Sequence, residues 1–345
     1  KNEQLNASAP AEPSLIFPSP HSYIRQKGSF ELTNKTVIVS PAKFRMEAEL
    51  LATELAAVLG TKPVISSRRT SSPAIELVLG QSPSEGYHLK SSAKGVFITA
   101  SEAAGIFYGI QSLKILLPPN AWAAKQKSIS IPALEVSDAP RFGHRAFMLD
   151  VARNFQSKEK VFKVLDLMAL YKMNVLHFHL TDDEGWRIEI PGLPELTEVG
   201  SKRGHSANKY EMLPPSYGSG PQSNNLFGSG YFSRKDYLEI LRYATARHIS
   251  VIPEIESPGH ARAAIKSMDA RYHKYLSKGL KTEAEQYLLR DLSDSSVYRS
   301  VQGWTDNVIN PALPSTYNFI RKVTNELVKM YAEANAPLKM IHMGG

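Results

Sequence analysis

Residues 249–261 read ISVIPEIESPGHA. An apolar, β-branched run the length of one strand (249–255) leaves on two glutamates of the same face, Glu254 and Glu256. Pro258-Gly259 then turns the chain and presents His260. A strand that is apolar on both faces belongs to a parallel sheet covered by helices. Burying a carboxylate without a partner costs several kcal/mol, so the two glutamates require a cation. Arg145 or another base at a strand end is a candidate, and an ion-pair network of purely structural purpose is the plainer alternative.

The same arrangement recurs on both sides of that stretch. RAFMLD (145–150) and NVLHFHL (174–180) read as strands, and KMIHMG (339–344) as the start of a fourth. Helical spacing separates them: Val161, Val164, Leu165 and Met168 after Ser157; Tyr237, Ile240, Leu241 and Ala244 after Ser233; and Ile320, Val323, Leu327 and Met330. Alternating strands and helices predict an α/β domain over 139–345 with its chemistry at the carboxyl ends of the strands. Polar residues gather there: Asp150 and Arg153, His177, His179, Asp182 and Asp183, then Glu254, Glu256 and His260. A (β/α)8 barrel needs eight such strands, so the expectation is the first half of one.

Residues 21–138 predict a separate α+β unit. KTVIVS (35–40), AIELVLG (74–80) and GVFITAS (95–101) read as strands. A helix carries Met46, Leu50, Leu51, Leu55 and Val58 and stops at Gly60, and a second ends at Pro118-Pro119. Residues 1–20, rich in Ala, Ser and Pro, read as a tether or the start of an exported chain, with a periplasmic, outer-surface or secreted location as the corresponding expectation.

Composition narrows the classes. The 345 residues carry a net charge of +8, but the bases are scattered, with no like-charge run or aromatic–Arg stripe to hold a nucleic acid. The absence of cysteine excludes disulfides and thiolate metal sites. No apolar stretch reaches the ~18 residues of a membrane span. Oligomeric state is not legible.

Three further stretches carry chemistry. His177 and His179 share one face of a strand, a spacing that metal-dependent barrel hydrolases use, although no full ligand set accompanies them; packed, hydrogen-bonded histidines are the alternative. TDDEGWRIEI (181–190) sets three acids beyond a buried strand: Asp182 reads as functional, Glu184 as solvated. Residues 201–232, long and aperiodic, read as a rim or lid on the strand-end face or as a surface excursion.

Taken in order, PRFGHRAFMLDVARNF, NVLHFHLTDDEGWRIEI, GYFSRKDYLEILRYATARHISVIPEIESPGH and the closing IHMGG resemble the family 20 glycoside hydrolases, the β-N-acetylhexosaminidases. The resemblance implies a (β/α)8 barrel behind a small α+β domain, without cofactor or metal. It also implies removal of terminal β-linked N-acetylglucosamine or N-acetylgalactosamine from oligosaccharides or glycoconjugates. The configuration is retained because the substrate's own acetamide attacks the anomeric carbon. The family's catalytic Asp-Glu pair follows a His-x-Gly-Gly motif. His342 to Gly345 match that motif, so the pair is expected immediately after Gly345 and this chain alone is expected to be inactive.

Carried over by position, Arg145 resembles the arginine that grips the sugar hydroxyls, and Asp182 with His260 the relay toward the catalytic glutamate. His179 and Glu254 resemble supporting members of that relay, and Asp150 a strand-end acid paired locally. Ala146 and Glu256 depart from the usual Gly and Asp. Two rivals remain open: a non-catalytic glycan-binding or scaffold protein, and a metal-dependent barrel hydrolase using His177 and His179.

Overall fold

The computed structural model describes residues 14–69, 71–225 and 227–344. Most of the expected tether and the last glycine, Gly345, lie outside the described residues. The chain divides into two compact units, residues 1–143 with 169–172 and residues 144–168 with 173–345.

The first unit is built on a seven-stranded mixed sheet. Its strands are β1 (Ser22–Thr33), β2 (Val37–Val39), β3 (Ile65–Ser66), β4 (Ala74–Leu79), β5 (Tyr87–Ser92), β6 (Gly95–Ala100) and β7 (Ser128–Asp138), in the order β1-β7-β5-β6-β4-β2-β3. The run from β3 to β6 is parallel, and β5, β7 and β1 add antiparallel pairs. Sequence reading finds β2, β4 and β6 and misses the two-residue β3 and the antiparallel β1, β5 and β7; β1 is exposed for most of its length (SYIRQKGSFELT).

Helices α1 (Arg45–Leu59) and α2 (Ala103–Ile115) complete the unit, α1 ending on Gly60 in the left-handed conformation. Leu51, Leu55 and Val58 of the expected α1 face are fully buried, whereas Met46 is exposed. α2 packs so closely that a Cβ on Gly105 would stand 2.1 Å from the Gly86 carbonyl oxygen.

The second unit opens with β8 (Ala146–Asp150), α3 (Lys158–Leu170) and β9 (Val175–His179). A short hairpin follows, β10 (Thr181–Asp182) and β11 (Gly185–Trp186), and then the single turn α4 (Glu195–Glu198). After the long loop come α5 (Arg234–Thr245), β12 (Ser250–Glu254), α6 (Arg262–Leu276), α7 (Lys281–Glu285) and α8 (Pro314–Ala334). Ser233 and Asp236 form a reciprocal capping box that starts α5.

Strands β8, β9 and β12 are parallel and adjacent in chain order. The chain then returns beside β12, where His342 N donates to the Pro253 carbonyl and Ile255 N to the His342 carbonyl. Sequential parallel strands with helical crossovers are the first part of a (β/α)8 barrel.

The two faces of β9 differ. Phe178 stacks on Tyr237 of α5 and lies against Phe232, fully buried, a burial worth roughly 1.5–3 kcal/mol per large apolar side chain. His177 and His179 point to the other side. No helix of the described residues is long and apolar enough to cross a membrane.

Candidate active site

Strand register assembles the site. Asp150 pairs with His179, His179 with Glu254, and Glu254 with His342, so four residues spread over the chain stand in one row at the strand exits. His177 lies one layer lower on the same face.

Glu254 is the centre of an imidazole cluster. Its Oε2 lies 2.6 Å from His179 Nδ1 and 2.9 Å from His177 Nε2, and its Oε1 2.9 Å from His342 Nδ1. The partner that the buried glutamate requires is therefore histidine, not Arg145. Glu256, also buried, lies 3.7 Å from His179 Nδ1 and fills the space where Gly344 would carry a Cβ, 1.9 Å from its Oε2.

Asp182 is the second centre. Its Oδ2 accepts from His179 Nε2 at 2.9 Å and from Arg153 Nη2 at 2.7 Å; its Oδ1 accepts from the Asp183 amide at 2.6 Å and lies 3.3 Å from His260 Nδ1. Burial alone would raise the Asp182 pKa, but the His179 bond, the Asp183 amide and the Arg153 charge hold it below the usual carboxylate range. Burial alone would lower His179, yet Asp182 and the charges of Asp150 and Glu254 lift it to about 9. His179 is thus an imidazolium at neutral pH, joining Glu254 to Asp182.

Asp150 turns the chain after β8, accepting from the amides of Ala152 and Arg153, and its Oδ2 takes Arg153 Nη1 at 2.8 Å. It pairs locally, while Arg153 spans Asp150 and Asp182. His260 holds a left-handed backbone (φ 51°), an uncommon conformation for a residue with a side chain, and its imidazole is partly exposed.

Two expectations need correction. Arg145 precedes β8, at the amino end of the strand. Five residues at about 3.3 Å each separate it from Asp150 by roughly 16 Å, and its backbone pairs with Asn174 at the start of β9. The structure gathers Asp182, His260, His179, Glu254 and Asp150, but not Arg145; the arginine in the cluster is Arg153. Glu184, read as solvated, is buried, and its Oε1 accepts from Trp304 Nε1 at 3.3 Å. Burial, then the Asp182 charge, raise its pKa to about 6. Asp183 is also raised by burial, against bonds from Asn307 Nδ2 and the Arg262 amide.

The long loop is a rim. Arg187 is completely buried, and its guanidinium donates to the carbonyls of Val151, Ala152, Glu184, Ser201, Gly228 and Gly230, tying the β8 exit to both ends of residues 201–232. Burial and then the nearby Arg203 push its pKa down to about 9, against the weaker pull of the Asp150 and Glu184 charges. Arg203, likewise buried, donates to the Arg153 carbonyl at 2.7 Å and to Ser216.

Among the described residues, three groups have the composition of metal ligands: His177, Glu254 and His342; His179, Glu254 and Glu256; and Asp182, Asp183 and His260. Of the pair expected from spacing, His179 has both ring nitrogens committed to carboxylates, and His177 Nε2 lies 2.9 Å from the same Glu254 Oε2.

A partial (β/α)8 barrel with carboxylates and imidazoles bonded along its strand exits defines a barrel hydrolase site. The model for the family 20 glycosyl hydrolase catalytic domain matches residues 142–345, and that for domain 2 of the same family matches residues 13–139. The chain belongs to glycosyl hydrolase family 20.

It is 49% identical over 263 residues to N,N'-diacetylchitobiase of Vibrio harveyi, covering 76% of this chain and 29% of that protein. To a beta-hexosaminidase of Vibrio furnissii it is 33% identical over 348 residues, covering 100% of this chain and 50% of the relative. The crystal structure of a GH20 exo beta-N-acetylglucosaminidase from Vibrio harveyi in complex with N-acetylglucosamine superposes with a TM-score of 0.79 at 31% identity, over 96% of this chain and 46% of that one. The chain therefore spans half or less of the length of these relatives.

Proposed function

We propose that the protein to which this chain belongs is an exo-acting β-N-acetylhexosaminidase that releases terminal β-linked N-acetylglucosamine or N-acetylgalactosamine by substrate-assisted, retaining hydrolysis. The observation that carries this reading is the bonded chain Glu254–His179–Asp182–Arg153 at the exits of sequential parallel strands. Family membership and the hexosaminidase names of the relatives support the substrate class.

The charge balance suits the reaction. Asp150, Asp182, Asp183, Glu184, Glu254 and Glu256 crowd one strand-end face against the cations Arg153 and His179. A face rich in carboxylates favours a transition state that develops positive charge on the sugar ring and on the acetamide. Under this reading the acetamide oxygen attacks the anomeric carbon, while a glutamate following Gly345 protonates the leaving oxygen and later activates water. A neighbouring aspartate orients the acetamide.

Residues 1–345 supply the scaffold of that step. His260 and Asp182 form the relay that tunes the acid, His179 and Glu254 lock Asp182 in place, and Arg153 offers its fork to vicinal hydroxyls. Arg153 takes the sugar-gripping role first given to Arg145, because it is the arginine among these acids.

The test is hydrolysis by the intact protein of an aryl N-acetyl-β-glucosaminide and of the matching aryl β-glucoside. Substrate assistance predicts turnover of the first and, at least 100-fold slower, of the second. Equal rates on both would overturn the acetamide mechanism, and no turnover of either would overturn the activity.

A further inference from the structure

The turn that carries His260 is gripped by a segment far along the chain. Ile309 N donates to the Pro258 carbonyl at 2.8 Å and Ala261 N to the Asn307 carbonyl at 3.0 Å, so residues 307–309 hold both flanks of the left-handed His260. Asn307 is itself fixed, its amide donating to the Tyr298 hydroxyl at 2.6 Å. Its side chain is buried and makes one hydrogen bond, from Nδ2 to Asp183 Oδ2 at 2.9 Å. Asn307 Oδ1 is buried and has no hydrogen-bond partner among the described residues. An unmet buried acceptor costs about 1–3 kcal/mol, so a side chain needed only for packing would be better apolar. What an asparagine adds at this position is the Nδ2 donor to Asp183.

Asp183 is the second carboxylate at the His260 ring. Asp182 Oδ1 already takes the Asp183 amide at 2.6 Å and lies a long 3.3 Å from His260 Nδ1. Asp183 Oδ2, the oxygen that Asn307 holds, lies 3.5 Å from the same nitrogen. The other Asp183 oxygen accepts from the Arg262 amide at 3.1 Å, so the two donors together set the rotation of the carboxylate against the ring. Two acceptors on one edge of a neutral imidazole place its proton on Nδ1 and leave Nε2 as an acceptor. Nε2 has no hydrogen bond among the described residues, and the ring is partly exposed.

We propose that Asn307 is a positioning residue of the strand-end site: through Asp183 it fixes the His260 imidazole with its proton on Nδ1 and its Nε2 available to the acid that protonates the leaving group. The inference rests on the hexosaminidase reading above and adds to it a residue that need touch neither sugar nor acid.

Asn307→Leu in the intact protein is the main test, because it keeps the bulk of the side chain and both backbone bonds while removing the donor. Asn307→Ala is the second variant, and thermal unfolding reports the folding of each. Two aryl N-acetyl-β-glucosaminides separate the roles: a dinitrophenyl glycoside, whose leaving group departs with little protonation, and a methylphenyl glycoside, which depends on the acid. General acid catalysis contributes about 10²–10⁴-fold. Partial loss of its tuning should lower kcat on the methylphenyl glycoside about tenfold or more and leave the dinitrophenyl glycoside within a few fold. Asp183→Asn should show the same split, and its combination with Asn307→Leu should add nothing further, as expected of two residues acting as one unit.

Nitrogen NMR of histidine-labelled protein, with the His260 signal assigned by its loss in His260→Gln, reads the tautomer without turnover. The Nδ1–H form is expected in the wild type and a mixture in Asn307→Leu. Equal losses on the two glycosides, wild-type rates on both, additive effects in the double variant, or an unchanged tautomer would each overturn the proposal. If the wild-type protein hydrolyses neither glycoside, the hexosaminidase reading falls, and with it the purpose given to His260; the tautomer still decides whether Asn307 sets the ring.

Discussion

His179 Nε2 lies 2.9 Å from Asp182 Oδ2, three residues along the chain, because β9 ends at His179 and the hairpin begins at Thr181, turning Asp182 back over the ring it follows. With Glu254 on Nδ1, the imidazole is held between two buried carboxylates. That geometry makes its proton part of the folding free energy.

The folded pKa of His179, about 9, exceeds its ordinary value of 6.5. The stabilisation is therefore complete below pH 6.5 and is lost as pH rises through 9. His179→Gln is expected to cost on the order of 3 kcal/mol near pH 6 and distinctly less at pH 9.5. Denaturant unfolding of wild type and variant across that range checks it; a difference that does not change with pH would show the ring to be neutral in the fold.

Glu184 predicts a slope of the same sign in a more acidic window. Its folded pKa, about 6, is raised from 4.5, so the folded state holds the proton more tightly and stability falls as pH climbs from 4.5 through 6. Glu184→Gln keeps an acceptor for Trp304 Nε1 and removes the charge. The variant is expected to gain on the order of 2 kcal/mol relative to wild type at pH 7.5 compared with pH 4.5. A constant difference would mean that Arg153, 3.9 Å from Glu184 Oε2, fully offsets the charge.

These two residues mark what the sequence makes legible. His179 sits in a strand, where alternation of side chains and the apolar run around it announce its face, and the same logic brings out Asp150, Asp182, Glu254 and His260. The burial of Glu184 depends on Trp304, 120 residues later, and no local pattern reports a cover supplied from that distance. The antiparallel strands of the first unit escape for a related cause: their partners, not their own composition, keep them extended. The exchange of Arg145 for Arg153 is different, since the sequence holds the signal. Strand direction places residues before an apolar run at one end of the sheet and residues after it at the other, and only the second end carries chemistry.

Arg187 should be among the least replaceable residues of the second unit. Its guanidinium serves carbonyls of the β8 exit and of both ends of the rim loop, and a lysine has neither the fork nor enough donors to replace it. Arg187→Lys and Arg187→Met are each expected to destabilise by roughly 3 kcal/mol or more, by orphaning buried carbonyls. Hydrogen exchange should show amides near 228–230 losing protection before those of β9. Near-wild-type stability in both variants would show that water replaces the guanidinium at no cost.

The two arginines separate the strand-end reading from the first one. Arg153 is fixed by Asp150 Oδ2 at 2.8 Å and Asp182 Oδ2 at 2.7 Å, and its carbonyl is held by Arg203, so the guanidinium is pre-set before any sugar arrives. Arg145 stands at the far end of the same strand. If Arg153 holds the sugar, Arg153→Lys in the intact protein loses the planar fork but keeps a charge, and kcat/KM on the aryl N-acetyl-β-glucosaminide should fall by about 100-fold or more, equivalent to about 2.7 kcal/mol of lost transition-state binding. Arg145→Lys should stay within a few fold of wild type, with any loss appearing in thermal stability. Because Arg153 also anchors Asp182, the pH dependence of kcat/KM adds a second reading: loss of the Asp182 partner should displace its acidic limb upward, whereas a sugar contact alone lowers the profile without moving it. A large loss in Arg145→Lys with none in Arg153→Lys would return the sugar-binding role to the amino end of the strand and leave the carboxyl-end cluster without its proposed purpose.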